Sequence, residues 1–226
     1  VLMNFVYLCT EIKKRMKTII LDFDGTLGDT RQCIVSTIQL ALTRMNLPEA
    51  KEKDITKLIG LPLIEMFRIL TDLEGADLDE ITKIYRDNFN DFAFGNVRSF
   101  PHVRETIQLL FEKGYTLTIA TSRGRQSLAM LMDQLHIHPY ITTFMCDQDV
   151  TEKKPAPEMV IKILEQTSSQ PDETIVVGDT VYDIEMGQRA GCRTCGVTYG
   201  NNSREQLQQQ GADNIIDDFR ELLNII

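Results

Sequence analysis

Apolar and polar positions follow two different patterns along this chain, and the change between them divides it. A β-branched apolar run at residues 18–21 ends abruptly in polar residues, which is typical of a buried strand in a parallel sheet. The next comparable run is at residues 115–121. Because a βαβ unit occupies only about 30 residues, the interval between these runs must contain an inserted segment.

Within this interval, apolar residues recur at helical spacing, with breaks at Pro48, at residues 60–62 and at Gly75. The stripes are Ile34, Ile38, Leu42 and Met45; Leu63, Met66, Phe67 and Leu70; and Leu78, Ile81, Tyr85, Phe89 and Phe92. They predict three or four helices that form a small bundle beside the first strand. Its position there suggests a lid.

From about Phe100 onward, helical and strand patterns alternate. The predicted helices are 101–113, 124–135, 155–166, 181–190, 203–210 and a final helix to residue 226; the predicted strands are 115–121, 143–146, 174–178, 192–198 and 214–216. This alternation predicts an α/β fold, a three-layer Rossmann-like parallel sheet with an inserted α-helical cap.

The same patterns predict the domain boundaries. Residues 16–30 and 99–226 would form the catalytic core, and residues 31–98 the helical cap. Residues 1–15 are apolar at first but lack a basic segment before them and a cleavage pattern after them, so we interpret them as an N-terminal extension rather than a signal peptide.

Composition narrows the class of partner. The net charge of −9 opposes nucleic-acid binding, which depends on a positive surface. No apolar run reaches the length of a membrane span. Five cysteines, an odd number without a secretory signal, favour reduced thiols and a cytoplasmic location. We therefore expect no nucleic acid or membrane partner, and a monomer or homodimer. A small anionic substrate would require a metal or local cations that reverse the negative field inside its site.

Two short motifs have ordinary structural interpretations. Cys192 and Cys195 form a C-x-x-C pattern without the second pair of a zinc site, and they fall in a predicted strand, which favours core packing over redox or metal chemistry. His136 and His138 precede a proline, which is more typical of a surface turn than of half a metal site.

Polar residues stand at the carboxyl ends of three predicted strands, which meet at one sheet edge. They are Asp22 and Asp24 after the first strand, Thr121 and Ser122 after the second, and Asp179 and Asp183 after residues 174–178. Four carboxylates in one place repel one another unless they share a cation, and oxygen ligands with room for water suit Mg²⁺.

Lys154 would place a positive charge opposite this metal, and a helix starting at Pro155 would add backbone donors for phosphate. A nucleophile, an acid or base, a metal and a cationic cradle are the parts that phosphoryl transfer requires.

These motifs occur in an order that closely resembles the haloacid dehalogenase superfamily. They are residues 22–27 (DFDGTL), Thr121–Ser122, Lys154–Pro155 and residues 178–183 (Gly-Asp followed by Asp). Residues 61–67 and 154–157 further resemble the phosphoglycolate-phosphatase and β-phosphoglucomutase-like branch with a helical cap. The resemblance covers residues 16–226.

The resemblance implies specific roles. Asp22 would be the nucleophile that forms an aspartyl-phosphate, and Asp24 would protonate the leaving oxygen and later activate water. Mg²⁺ would be held by Asp22, the Asp24 backbone carbonyl and Asp179, with Asp183 in support.

The resemblance also implies that Thr121, the N–H groups after it and Lys154 bind the phosphoryl oxygens. Ser122 and Arg123 are further candidates for substrate binding. Residues 122–125 (Ser-Arg-Gly-Arg) depart from relatives, which often carry an Asn and a Lys in this motif, so the roles of Arg123 and Arg125 stay open. Either arginine could contact a second anionic group of the substrate, but two arginines at a helix start are more often solvated. We prefer Lys154 to Lys153 as the catalytic lysine and expect Lys153 to be solvated.

The predicted function is therefore a Mg²⁺-dependent, phosphoglycolate-phosphatase-like phosphatase of a small phosphorylated metabolite. Phosphoglycolate, a sugar phosphate, a nucleotide and pyrophosphate all fit the core motifs. A β-phosphoglucomutase-type phosphomutase is the alternative, although the His usual shortly after the first motif in those relatives is absent. A haloacid dehalogenase itself is disfavoured because that branch lacks the second aspartate. A non-catalytic phosphate-binding regulator would have lost the nucleophile or a metal ligand, and none is lost.

Overall fold

A parallel six-stranded sheet forms the centre of the protein. The structure, a computed structural model, describes residues 16–226, so the predicted extension 1–15 lies outside the described residues. The strands are β1 (Thr18–Leu21), β4 (Thr116–Ala120), β5 (Thr143–Met145), β6 (Thr174–Gly178), β7 (Arg193–Val197) and β8 (Asn214–Ile216), in the order β5-β4-β1-β6-β7-β8. The predicted parallel α/β fold is confirmed.

Strand β1 occupies a central position in this sheet. Thr18 pairs with Thr116 of β4 on one side and with Thr174 of β6 on the other. Ile19 and Leu21 pack into one apolar cluster, whereas Ile20 packs into a second. Because successive strand side chains point to opposite faces, both faces of β1 are buried. This explains its uninterrupted apolar sequence.

Helices surround the sheet and fill the insert. They are α1 (Arg31–Arg44), α2 (Glu52–Thr56), α3 (Leu63–Thr71), α4 (Gly75–Ala93), α5 (Val103–Glu112), α6 (Arg125–Gln134), α7 (Glu158–Thr167), α8 (Val181–Arg189) and α9 (Arg204–Gln209). Helices α1 to α4 all lie within the interval where helical spacing was predicted. The ring of Tyr85 in α4 packs against Phe67 and Phe89, with centroids 6.1 and 5.7 Å away.

Two short strands join the insert to the sheet. They are β2 (Gly28–Asp29) and β3 (Arg98–Ser99), and they pair antiparallel, Gly28 with Ser99. The pair brings together the two points where the chain leaves and re-enters the core. Two-residue strands carry no periodic pattern, so the sequence did not predict them.

Several predicted details are corrected. The helix predicted from Pro155 begins at Glu158, so Pro155 lies in the turn before it, and the last predicted helix is a 3₁₀ helix, Phe219–Asn224.

Cys192 and Cys195 are buried in different apolar clusters, which confirms core packing. His138 opens a surface 3₁₀ turn, also as predicted. No helix in residues 16–226 has the length and apolarity needed to cross a bilayer.

Candidate active site

The polar residues at the strand ends converge as the sequence predicted. Asp22 follows β1, Thr121 follows β4 and Asp179 follows β6, and all three are at least 95% buried, with exposed fractions of 5%, 1% and 0%. Strands β4, β1 and β6 are direct neighbours in the sheet, so their carboxyl ends lie side by side. The sheet topology therefore builds one buried polar site.

Lys154 lies at the centre of this site. Its Nζ donates to Asp22 Oδ1 at 2.6 Å and to Asp183 Oδ1 at 2.7 Å, and its side chain is fully buried. Burial by itself would lower the pKa of Lys154, but the charges and hydrogen bonds of Asp183 and Asp22 raise it above its ordinary value. The lysine is therefore held as a charged ammonium between two carboxylates.

Asp183 reaches this position through the start of α8. Its Oδ2 accepts a hydrogen bond from the backbone N–H of Thr180 at 3.0 Å, and its own backbone N–H donates to the Thr180 hydroxyl at 3.4 Å, which forms a capping box. The Thr180 hydroxyl also donates to Oδ2 at 2.7 Å. The capping box orients the carboxylate so that Oδ1 remains available to Lys154. Gly178 also permits this contact, because a Cβ at that position would overlap the Asp183 side chain.

Asp179 has a different set of donors. The backbone N–H and side-chain amide of Asn201 donate to its Oδ2 at 2.7 and 2.8 Å, and the Thr26 hydroxyl donates to Oδ1 at 3.1 Å. Gly25, which has a φ of +92°, passes so close that a Cβ there would overlap the Asp179 carboxylate. The turn after Asp24 thus depends on glycine for both its conformation and its space.

Asp22, Asp179 and Asp183 form a carboxylate cluster whose potential ligand atoms all lie within 4.8 Å of one another. Burial raises the pKa of Asp22 well above its usual range, which Lys154 opposes and the charges of Asp183 and Asp179 reinforce. Burial, followed by the charge of Asp183, raises the pKa of Asp179 to about 7. Three buried carboxylates with one ammonium between two of them are the donor chemistry of a site for a hard divalent cation.

Asp24 does not join the carboxylate cluster, so the expected gathering of four carboxylates is corrected to three. Its Oδ1 accepts from the Thr30 hydroxyl at 2.6 Å and from Arg123 Nη2 at 2.5 Å, and Arg123 Nε donates to Oδ2 at 2.9 Å. The physical reason is the guanidinium of Arg123, whose planar N–H donors match the geometry of a carboxylate. This pairing holds the Asp24 carboxylate apart from the other three.

Arg123 is buried, with 8% of its surface exposed, so the expectation that it is solvated is wrong. Its guanidinium lies 4.1 Å from the Phe89 ring centroid and donates to the Ser127 hydroxyl at 2.8 Å. Arg125 is different: its side chain is 50% exposed and it pairs with Asp149 at 2.6 Å. The two arginines share a helix start, but only Arg123 enters the site.

The remaining predicted residues have clear positions. The Thr121 hydroxyl accepts from the Arg123 backbone N–H at 3.2 Å. The Ser122 hydroxyl donates to the Gly60 carbonyl of the insert at 2.8 Å. Lys153 donates to the backbone carbonyls of Asp147 and Val150, away from Asp22, and its side chain is two-thirds buried. Lys153 is therefore neither the lysine of the site nor fully solvated.

Sequence reasoning included Thr26 in the motif at residues 22–27 without giving it a role, and it missed Thr30 and Asn201. Asn201 follows β7, the neighbour of β6, so the rule that found Asp22 and Asp179 could also have found it. The Thr30 hydroxyl had no such signal, because threonine is frequent in turns of every kind.

A cavity of about 150 Å³ opens beside Asp22 and Asp24. Its floor is formed by the core residues Asp22, Asp24, Thr121 and Arg123, and its wall by apolar residues of the insert. A small molecule in this cavity would contact both the catalytic candidates and the helices of the insert.

Comparisons with known proteins show which family this chain resembles. A family model described as haloacid dehalogenase-like hydrolase matches residues 19–197. The curated protein Pyrophosphatase PpaX of Bacillus mycoides (strain KBAB4) is 29% identical over 212 residues, which cover 94% of this chain and 97% of that protein.

Solved structures show the same similarity. A structure described as a haloacid dehalogenase-like hydrolase from Bacteroides fragilis superposes on this chain with a TM-score of 0.87 and is 26% identical to it. The superposition covers 92% of this chain and 100% of that one. A predicted phosphoglycolate phosphatase from Haemophilus somnus gives 0.85 at 26% identity, with coverages of 93% and 97%. Because the family model matches residues 19–197, which is more than half of the chain, the chain belongs to the haloacid dehalogenase-like hydrolase family.

Proposed function

We propose that this protein is a Mg²⁺-dependent phosphatase that hydrolyses the phosphomonoester of a small metabolite through an aspartyl-phosphate at Asp22. The observation that carries the proposal is the buried contact between Asp22 and Lys154 within the carboxylate cluster. A carboxylate beside an ammonium and a cation site is suited to attack a phosphoryl group whose negative charges would otherwise repel it.

The donor set fits a magnesium ion. Asp22, Asp179 and Asp183 would hold it, with the Asp24 backbone carbonyl that the family resemblance implies. Mg²⁺ binds through few carboxylates and keeps sites for water and phosphate, which suits a cluster of three. When bound, the ion would neutralise charge on the phosphoryl oxygens and orient the group.

The chain's own residues would supply the two displacement steps. A carboxylate oxygen of Asp22 forms the bond to phosphorus as the bond to the leaving oxygen breaks, and Asp24 gives that oxygen a proton. Asp24 then takes a proton from water, whose oxygen attacks phosphorus and releases phosphate and free Asp22. Lys154 and Thr121 would hold the phosphoryl oxygens throughout.

In this proposal the insert, residues 31–98, acts as the cap over the core formed by residues 16–30 and 99–226. The Ser122 hydroxyl contact with Gly60 supports it, since that hydrogen bond ties the strand-end loop to the insert. A mutase would need the cap to retain a phosphorylated intermediate, and no observation favours that over hydrolysis. A purely binding role is disfavoured because the nucleophile and the cluster are intact.

Removing divalent metal is expected to lower phosphatase activity by about 10²-fold or more. The measurement is phosphate release from p-nitrophenyl phosphate in EDTA and after adding back Mg²⁺. A second readout is the melting temperature, which Mg²⁺ should raise in the wild type but not in Asp179→Asn, because that variant loses one carboxylate of the cluster. Equal activity with and without EDTA would contradict the metal requirement.

Replacing Arg123 with Met is expected to lower kcat by about 10²-fold. Methionine keeps apolar contact with Phe89 but removes the fork that holds both oxygens of Asp24. Asp24 would then lose the orientation needed for proton transfer. The measurement is steady-state kinetics with p-nitrophenyl phosphate.

Arg125→Met is the matched control for this change. It removes the same charge two residues away, where the side chain pairs with Asp149 outside the site. Its kcat should stay within about twofold of the wild type, since exposed ion pairs contribute little. Similar losses in both variants would show that Arg123 acts only through general charge or stability.

A further inference from the structure

We infer that the preferred substrate carries one phosphoryl group on an uncharged organic leaving group with an apolar face. The inference rests on the proposed phosphatase function and narrows it. It sets this chain apart from a preference for pyrophosphate or phosphoglycolate, the substrates in the names of two similar proteins, since both carry a second anionic group. Three features of the cavity beside Asp22 support it.

The first feature is the apolar wall that the insert presents to the cavity. The apolar residues of this wall are Ile34, Ile59, Leu61, Leu63, Met66 and Phe89, and the insert also contributes the polar residues Tyr85, Arg86 and Asn90 to the lining. They come from separate parts of the insert, so the wall is not a property of one helix face. A leaving group with carbon atoms would gain free energy from contact with this wall, whereas a phosphate or carboxylate would lose hydration there without a partner.

The second feature is that the charge of Arg123, the buried guanidinium in the lining, is already paired. Nε and Nη2 donate to Asp24, and Nη1 donates to the Ser127 hydroxyl. One of its faces is covered by the Phe89 ring. A second anion on the substrate would have to share this cation with Asp24, the residue proposed to transfer the proton.

The third feature is the carboxylate of Asp147, which also lines the cavity. Its Oδ1 is buried and accepts no hydrogen bond, and the nearest ammonium, that of Lys153, lies 3.6 Å away. Burial raises the pKa of Asp147, and the charges of Lys153 and Arg86 oppose that rise. Oδ1 thus has an ion pair with Lys153 but no hydrogen bond, and a second anionic group close to it would meet a like charge, which is unfavourable in an interface.

Arg86 is the other cation of the lining, and it does not reverse this balance. It is exposed, and its charge acts on Asp147. Because water screens an exposed charge, Arg86 attracts a second anion less strongly than a buried cation would. Beyond the phosphoryl position, the described lining offers no cation that is both buried and free.

Isobutyl phosphate and phosphoglycolate provide a matched test. Their leaving groups share one branched skeleton, with two methyl groups in place of the two carboxylate oxygens. With Mg²⁺ present, kcat/KM for isobutyl phosphate is expected to exceed that for phosphoglycolate by about tenfold or more. Inorganic pyrophosphate should be a similarly poor substrate.

Two variants test the residues involved. Asp147→Asn removes the repelling charge, so the ratio of kcat/KM for isobutyl phosphate to that for phosphoglycolate should fall about fivefold. Leu63→Asn removes apolar wall and should lower the same ratio by a similar factor, about fivefold. Asp133→Asn, which removes one charge from the exposed face of α6, should leave the ratio unchanged.

The outcomes separate this inference from the function on which it rests. A ratio near one, or better turnover of phosphoglycolate or pyrophosphate, would overturn the inference and leave the phosphatase intact. An Asp147→Asn ratio equal to that of the wild type would overturn the role of that carboxylate. Absence of Mg²⁺-dependent turnover with every ester, p-nitrophenyl phosphate included, would overturn the phosphatase proposal itself.

Discussion

Replacing Asp22 with Asn is expected to lower kcat by about 10³-fold or more, because the amide cannot form the aspartyl-phosphate. The fold should persist. The cluster holds three carboxylates against the single ammonium of Lys154, so losing one negative charge reduces repulsion and leaves the Lys154 contact with Asp183 in place. Steady-state kinetics with p-nitrophenyl phosphate and the melting temperature measure the two effects.

Asp29→Asn is the matched control for this substitution. Asp29 is exposed in β2 and is absent from the carboxylate cluster and from the cavity lining. It should retain wild-type kcat and melting temperature. A fully active Asp22→Asn enzyme would exclude the covalent mechanism, and a large drop in its melting temperature would mean that Asp22 is needed for folding.

Replacing Lys154 with Met is expected to lower both activity and stability. The side chain is fully buried between Asp22 and Asp183, so its removal leaves two buried carboxylates without their shared ammonium. Breaking a buried pair from one side typically costs about 3–5 kcal/mol of unfolding free energy. We expect kcat to fall about 10²-fold as well, since the phosphoryl oxygens would lose a charged partner.

Urea unfolding in the absence of metal measures the change in unfolding free energy, and Lys153→Met is the control. Lys153 is the preceding residue, but it donates to backbone carbonyls away from the carboxylate cluster. Its replacement should cost less than about 2 kcal/mol, as expected for hydrogen bonds from a partly exposed group. Equal losses in both variants would show that the lysine between Asp22 and Asp183 has no special role.

Local patterns predicted most of the sheet and part of the site. The strand over residues 174–178 was placed correctly, because a run buried on both faces has to be apolar throughout. Asp22, Thr121 and Asp179 were found by their position after such runs. The helix start at Pro155 was misplaced by three residues, because a proline suits a turn as well as a first helical turn.

The partners of the charged residues could not be found in this way. Asp24 and Arg123 are 99 residues apart, and Lys154 and Asp22 are 132 apart. Statistics for a single position favoured a solvated Arg123, since an isolated charge is costly to bury. The pairing with Asp24 removes that cost, and no sequence feature near Arg123 predicts this pairing.

By itself the sequence indicated candidate site residues and placed most of them at the carboxyl ends of buried strands, because strand burial and the change from apolar to polar residues are both local properties. Only the tertiary structure decided which of them meet. Parallel pairing of β4, β1 and β6 brings Asp22 beside Asp179, and the turn before α7 delivers Lys154 between two carboxylates. The Asp24 carboxylate pairs with Arg123 instead of joining the cluster, because a buried guanidinium is costly unless a carboxylate pairs with it.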